Sequence, residues 1–190
     1  MRVTAALVVN TLCVVLGLSA TPTAATAPAA QRCHGERATI VISYSQDGIE
    51  SGTPQRDVVI IEKHANVLEF LAGAGDDVVC LRQGANDDED APPTVYGGRG
   101  DDLLIATEAP YSPHLRGDRG ADVLIGSPGF DYLVGGPGPD RLFGGGDRDI
   151  LSGDDGDDVL QGGRGDDEGD GGTGRDLCRK IEDRTSCLQG

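Results

Sequence analysis

A nine-residue repeat constrains this chain more than any other feature. Each unit has glycine in the first position and aspartate in the sixth, and most units have leucine two residues later. Seven units follow one another without a gap, and they begin at Gly117, Gly126, Gly135, Gly144, Gly153, Gly162 and Gly171. A fixed short period of this kind predicts a solenoid, because one unit can bury its apolar side chain only against neighbouring units.

Each unit divides into a turn and a strand. The first six residues, as in 135–140, are rich in glycine, which adopts backbone angles that other residues avoid. The last three residues have the length of a short strand, in which alternate side chains point to opposite faces. A leucine in every ninth position therefore predicts a stacked apolar ladder, and the chain is predicted to be all-β.

The turns have the chemistry of a site for a hard cation. Carboxylates and peptide carbonyls supply the six to eight oxygen ligands that calcium accepts in a flexible shell, whereas magnesium requires a tighter octahedron. The repeat also resembles the RTX family, the hemolysin-type calcium-binding repeats of secreted bacterial proteins. In that family consecutive nonapeptides alternate between the two sheets of a flattened right-handed parallel β-roll, and each ion lies between two turns stacked on one edge.

The resemblance implies how the units are arranged. Turns that begin at residues 117, 135, 153 and 171 are expected on one edge, and turns that begin at 126, 144 and 162 on the other. Neighbouring pairs then give about five Ca²⁺ sites in the contiguous block. The implied side-chain ligands are Asp77, Asp102, Asp122, Asp131, Asp140, Asp149, Asp158, Asp167 and Asp176. The glycines implied to contribute carbonyls are Gly97, Gly117, Gly120, Gly126, Gly129, Gly135, Gly138, Gly144, Gly153, Gly156, Gly162, Gly165, Gly171 and Gly174.

Two earlier units extend the repeat, so that the calcium-binding roll is predicted for residues 73–179. The segments 81–96 and 106–116 are interpreted as half-coils with enlarged turns, which places Val95 and Leu115 in the buried position. The acidic run at 87–90 is expected to be a solvated surface loop. Two units depart from the pattern, because Asp147 replaces a turn glycine and Gly169 replaces the buried leucine.

The ends of the chain have separate assignments. Residues 1–29 have the basic start, apolar run and small residues of a secretory signal peptide, and cleavage is expected after Ala29. An uncleaved anchor is the alternative, although the apolar run is shorter than the roughly 20 residues that span a membrane. Residues 30–72 are interpreted as degenerate coils that cap the roll, with a separate small β domain as the alternative. Residues 180–190 are interpreted as a C-terminal cap.

Removal of the leader leaves four cysteines, which predict two disulfides in an exported protein. Cys178 occupies a buried position of the repeat, and Cys187 lies where the next one would fall. We therefore expect these two to meet across the interior, which pairs Cys33 with Cys80. Free catalytic thiols are the rival interpretation.

Charge and motifs narrow the function. The net charge of −16 disfavours nucleic acid and anionic membranes as partners, and it opposes compaction without cations. The sequence has no zinc-protease, nucleophile-elbow or P-loop motif, so an enzyme is not expected.

The sequence therefore predicts a secreted, extracellular calcium-binding protein. The alternative is an extracellular adhesin or matrix protein that uses an apolar outer face, unless the enlarged loops cover that face. The residues of this apolar outer face would be Leu103, Ile105, Val123, Ile125, Tyr132, Val134 and Phe143.

Overall fold

The structure, a computed structural model, describes residues 32–42, 49–62, 67–82, 92–107 and 112–188. The predicted signal peptide and the acidic run at 87–90 lie outside the described residues. The described part forms only strands, and it includes no helix that could cross a membrane. In chain order the strands are β1 (Arg32–Cys33), β2 (Glu36–Arg37), β3 (Ile40–Ile42), β4 (Ile49–Ser51), β5 (Val58–Ile61), β6 (Glu69–Ala74), β7 (Val78–Leu81), β8 (Thr94–Arg99), β9 (Leu103–Ile105), β10 (His114–Arg119), β11 (Val123–Ile125), β12 (Tyr132–Pro137), β13 (Arg141–Gly145), β14 (Ile150–Asp155), β15 (Val159–Gly163), β16 (Glu168–Asp170), β17 (Asp176–Arg179), β18 (Asp183–Thr185) and β19 (Cys187–Leu188).

From β3 onward, consecutive strands alternate between two parallel sheets. The odd-numbered strands form a nine-stranded sheet and the even-numbered strands an eight-stranded sheet, each in chain order. Every turn therefore carries the chain from one sheet to the other, and two strands with their turns make one coil. This arrangement confirms the predicted all-β parallel roll.

The core is the predicted ladder of apolar side chains. In one sheet Leu124 lies between Leu104 and Leu142, and in the other Leu133 lies between Leu115 and Leu151. These leucines are at most 1% exposed, and burial of each contributes roughly 1.5–3 kcal/mol. The strands that follow the two enlarged turns also place an apolar residue in the core, since Val95 and Leu115 are both fully buried.

The strands before the repeats continue the same sheets. Ile40 pairs with Val59, Val59 pairs with Val79, and Phe70 pairs with Val95 in parallel register. Val59, Val79 and Phe70 are fully buried in the same core cluster as the leucine ladder. The two sheets therefore run without a break from the N-terminal coils into the repeats.

A short antiparallel hairpin, β1–β2, was not expected from the sequence. The disulfide Cys33–Cys80 ties this hairpin to β7, and Cys33 packs with Val58, Ile60 and Val78 in a second apolar cluster. These side chains lie on the opposite face of the nine-stranded sheet from the core. The hairpin therefore covers the outer face of the first coils.

The second disulfide joins the predicted cysteines in an unexpected geometry. Cys178 and Cys187 are bonded, but their strands β17 and β19 are neighbours in one sheet, and Cys187 is in register with Asp176. The expectation that they meet across the interior was wrong. Its cause is a shortened last coil, in which residues 11 apart are paired, Asp176 with Cys187, instead of residues 18 apart, as in Val159 with Leu177.

The same shortened coil repairs the defect at Gly169, which has no side chain for the core. Ile181 is 1% exposed, and its methyl groups occupy the space in which a Cβ on Gly169 would stand. The core therefore stays filled at the coil in which the repeat is weakest.

Candidate metal centre

The turns form two columns, one along each edge of the roll. The first-edge column consists of the turns 52–57, 72–77, 97–102, 117–122, 135–140, 153–158 and 171–176. The six-residue turns of the second-edge column are 126–131, 144–149 and 162–167. The register of the glycines confirms the predicted stacking, since Gly136 pairs with Asp154 on the first edge and Gly145 with Gly163 on the second.

Glycine is required where successive turns come into contact. Gly138 has a φ of 145°, and a Cβ on this residue would collide with the carbonyl oxygen of Gly120 in the previous turn. Gly156 stacks on Gly138, and Gly174 on Gly156, in the same way. Asp147, which replaces a turn glycine, still adopts a left-handed backbone with a φ of 62°. The turn geometry is therefore kept at this departure from the repeat.

The aspartates in the sixth position form a hydrogen-bonded ladder inside each column. The backbone N–H of Asp122 donates to Oδ1 of Asp140, and the N–H of Asp140 donates to Oδ1 of Asp158, both at 2.7 Å. On the second edge, the N–H of Asp149 donates to Oδ1 of Asp167 at 2.9 Å. One carboxylate oxygen of each such aspartate is therefore used to align neighbouring turns.

The second carboxylate oxygen is buried without a partner. Oδ2 has no hydrogen bond in Asp77, Asp102, Asp122, Asp140, Asp149, Asp158, Asp167 and Asp176, all of which are at most 1% exposed. A buried carboxylate oxygen without a donor or a cation costs several kcal/mol if it is charged. Eight repetitions of this arrangement at equivalent positions point to a ligand that supplies positive charge.

Burial raises the pKa of the sixth-position carboxyls of Asp77, Asp102, Asp122, Asp131, Asp140, Asp149, Asp158 and Asp167 in the metal-free protein. The pKa is about 6 for Asp77, Asp122 and Asp158, and about 7 for Asp102, Asp131, Asp140 and Asp149. Neighbouring carboxylates add to the effect, as Asp122 and Asp77 do at Asp102. The pKa of Asp167 is raised by burial and then by the nearby carboxylate of Glu182. A divalent cation would reverse this shift, because it stabilises the charged form.

Backbone carbonyls converge on the same oxygen atoms. The position of a Cβ on Gly153 would lie against Oδ2 of Asp158 and 2.5 Å from the carbonyl oxygen of Gly171, in the next turn. Gly97 borders Asp102 and the carbonyl of Gly117, and Gly144 borders Asp149 and the carbonyl of Gly162, in the same way. No three His, Cys, Asp or Glu side chains gather at one point in the described residues, so a metal here would depend on carbonyls. Carboxylate and carbonyl oxygens are the donor set that calcium accepts.

Two turns differ from this pattern. In 126–131, Oδ2 of Asp131 accepts hydrogen bonds from the N–H of Ser127 at 2.6 Å and from its hydroxyl at 3.1 Å. In 52–57, Oδ2 of Asp57 accepts from the N–H of Thr53 at 2.7 Å and from its hydroxyl at 2.8 Å. The hydroxyl of Ser127 also accepts the N–H of Gly129. These two turns satisfy their carboxylates without a metal.

Each of these turns is the first six-residue turn of its column and has Ser or Thr in the second position, followed by proline. The hydroxyl residue is the sequence signal that separates Asp131 from the other implied ligands. The sequence reasoning missed it because it followed the aspartate rather than the second position of the turn. The turn that contains Gly126, Gly129 and Asp131 thus lies in the second-edge column as expected. It differs from the other turns of that column because Ser127 donates hydrogen bonds to the carboxylate of Asp131.

Two parallel sheets joined by columns of acidic glycine turns define the class of calcium-binding β-roll proteins. In the comparison with protein families, residues 94–108, 116–151 and 143–178 match the model described as RTX calcium-binding nonapeptide repeat (4 copies). These stretches of the chain are therefore RTX-type calcium-binding repeats. Neither the curated proteins nor the solved structures include a match to this chain.

Proposed function

We propose that this protein is a secreted calcium-binding protein in which Ca²⁺ ions, held between stacked turns, complete the β-roll. The column of buried, unpartnered Oδ2 atoms carries the proposal. Each of these atoms is buried without a hydrogen-bond donor, and a charged carboxylate oxygen in such a place is costly without a cation. A bound Ca²⁺ supplies the positive charge and the multiple oxygen coordination that such an environment lacks.

We infer the positions of the ions from the hydrogen-bond pattern of the turns. Each site combines Oδ2 of one turn with the first-position carbonyl of the turn stacked after it. On the first edge the side-chain ligands are Asp77, Asp102, Asp122, Asp140 and Asp158. On the second edge the ligand is Asp149. The proposal therefore gives the contiguous block four sites of this kind, one fewer than the repeat count predicts, and the hydrogen bonds from Ser127 to Asp131 support leaving out the fifth.

Folding and calcium binding are coupled in this proposal. The chain carries a net charge of −16 and 30 glycines, which disfavour the compact state through repulsion and conformational entropy. Ions that bind only the folded roll increase its free energy of unfolding by RT ln(1 + [Ca²⁺]/Kd) for each site. Several sites therefore produce a steep dependence of folding on calcium.

An extracellular location fits this chemistry. The two disulfides suit an oxidising compartment, and extracellular calcium modules bind with Kd values of about 10⁻⁴–10⁻³ M. Residues 1–29 supply the signal peptide in this proposal. The proposed role is binding rather than catalysis, with calcium as the partner and neither nucleic acid nor membrane insertion.

Circular dichroism of the mature chain, with disulfides intact, tests the proposal. We expect a cooperative gain of β signal as CaCl₂ rises to about 10 mM, and no equivalent gain with MgCl₂. Asp140→Asn should reduce the number of bound ions, whereas Asp166→Asn, which removes the same charge from an exposed position, should not. Equal responses to the two cations, or no bound calcium, would contradict the proposal.

The adhesin alternative depends on the outer faces of the sheets. Tyr132 is 38% exposed there, whereas Leu103, Val123 and Ile125 are half-buried and Val134 is 6% exposed. The apolar outer face is thus less exposed than the sequence suggested, and calcium binding has the stronger structural support. A surface-binding assay that compares the wild type with Tyr132→Ser would separate the two functions.

A further inference from the structure

The second-edge column does not end where the nonapeptide repeat ends. The family match stops at residue 178, yet the chain makes one more turn on this edge at residues 180–182. Glu168 pairs with Asp183 in parallel register, which places Glu182 directly after Asp167 in the stack. A three-residue turn thus occupies the level at which a further six-residue turn would stand.

This short turn reproduces the contacts of a repeat turn. The N–H of Asp167 donates to Oε2 of Glu182 at 2.9 Å, as the N–H of Asp149 donates to Oδ1 of Asp167 at 2.9 Å. The carbonyl oxygen of Lys180 lies against the Cβ position of Gly162, as the carbonyl of Gly162 does for Gly144. Lys180 adopts a left-handed backbone with a φ of 49°, which is uncommon for a residue with a side chain.

A buried oxygen points into the gap between these turns. Oδ2 of Asp167 has no hydrogen-bond partner, and the residue is 1% exposed. The Cβ position on Gly162 would lie against both this oxygen and the carbonyl of Lys180. The gap thus contains the same unpartnered carboxylate oxygen and carbonyl oxygen as the repeat sites, with a glutamate in place of the next aspartate.

We propose that Asp167, the carbonyl of Lys180 and the carboxylate of Glu182 form an additional calcium site that closes the second edge outside the nonapeptide repeat. The extra methylene of glutamate compensates for the shorter turn. This inference rests on the proposed function, because it assumes that the equivalent gaps bind calcium. Glu182 is exposed, so this site is more open to solvent than the repeat sites and fills after them.

Native mass spectrometry of the disulfide-bonded mature chain in CaCl₂ tests the site by counting bound ions. We expect Glu182→Gln to bind one ion fewer than the wild type at a calcium concentration that saturates the wild type. The glutamine keeps an acceptor for the N–H of Asp167, and circular dichroism would verify the fold. Asp183→Asn is the matched control, since it removes one charge from the next residue, which is exposed, and should keep the full count.

Asp149→Asn separates failure of this inference from failure of the proposed function. A lower ion count in Asp149→Asn together with an unchanged count in Glu182→Gln would overturn the additional site and leave the repeat sites intact. No calcium bound to the wild type would overturn both. Calcium anomalous density between Asp167 and Lys180 in crystals of the wild type would support the site directly, and density confined to the repeat gaps would contradict it.

Discussion

At the scale of the residue, a hydroxyl side chain in the second position of a turn changes what the aspartate binds. Gly136 has a φ of 111° and is followed by proline, and the Oδ2 of Asp140 in its turn has no partner. Ser127 is also followed by proline, but its N–H and hydroxyl both bind Asp131. A hydroxyl side chain at this position thus supplies an internal donor in place of the cation.

Ser127→Gly should therefore create a calcium site. The variant turn would have the sequence of 135–140 in its first four positions, and Asp131 would lose the hydroxyl that occupies its Oδ2. We expect one more bound ion in native mass spectrometry and a rise in stability with calcium. We expect lower stability without calcium by about 1–3 kcal/mol, because the buried carboxylate of Asp131 loses the hydroxyl of Ser127 as a hydrogen-bond donor.

Ser127→Ala is the control for this prediction. Alanine removes the hydroxyl but keeps the Cβ, which disfavours the positive φ found at Gly145 and Gly163, the equivalent residues in the next turns. It should lose stability without gaining an ion. An unchanged ion count in Ser127→Gly would show that the hydroxyl does not take the place of calcium.

At the scale of the element, the turns stack through their backbones while the strands stack through their side chains. Gly138→Ala should test the turn contact, because it adds both an unfavourable φ and a collision with the carbonyl of Gly120. We expect a loss of roughly 3 kcal/mol in the free energy of unfolding in calcium, measured by urea denaturation.

Gly35→Ala provides the comparison. Gly35 has a φ of 85° but open space around its Cβ position, so its substitution should cost only about 1 kcal/mol. Equal losses in the two variants would mean that backbone strain alone, and not contact between turns, sets the requirement for glycine.

The strands and the two columns of turns followed from the repeat, because a leucine in every ninth position specifies its own buried ladder. The hairpin β1–β2 did not, since it depends on contacts between Cys33 and residues about 25 to 47 positions away. The shortened last coil was also missed. Neither Glu182 nor Ile181 fits the nonapeptide spacing. Glu182 accepts the hydrogen bond from the backbone N–H of Asp167, and Ile181 fills the core space beside Gly169, which has no side chain.

At the scale of the whole molecule, the two columns concentrate charge that the metal-free protein cannot neutralise except by binding protons. Asp102, Asp140 and Asp149 have pKa values of about 7 in the folded state because they are buried, against an ordinary value of 3.8. At pH values between 3.8 and about 7, these carboxyls are therefore protonated in the folded chain but ionised in the unfolded chain. Stability falls with pH wherever the folded state binds more protons.

The metal-free roll should therefore be more stable at about pH 5 than at about pH 8, with the loss occurring as pH rises through about 6–7. Urea denaturation in calcium-depleted buffer would measure this as a lower midpoint at the higher pH. Saturating calcium should reverse the trend, because the ion binds the charged carboxylates and competes with protons at low pH. Asp102→Asn, which removes one titrating group, should show a weaker pH dependence in the absence of calcium. A metal-free midpoint that rises with pH would mean that the buried carboxylates are already charged and are stabilised by the protein alone.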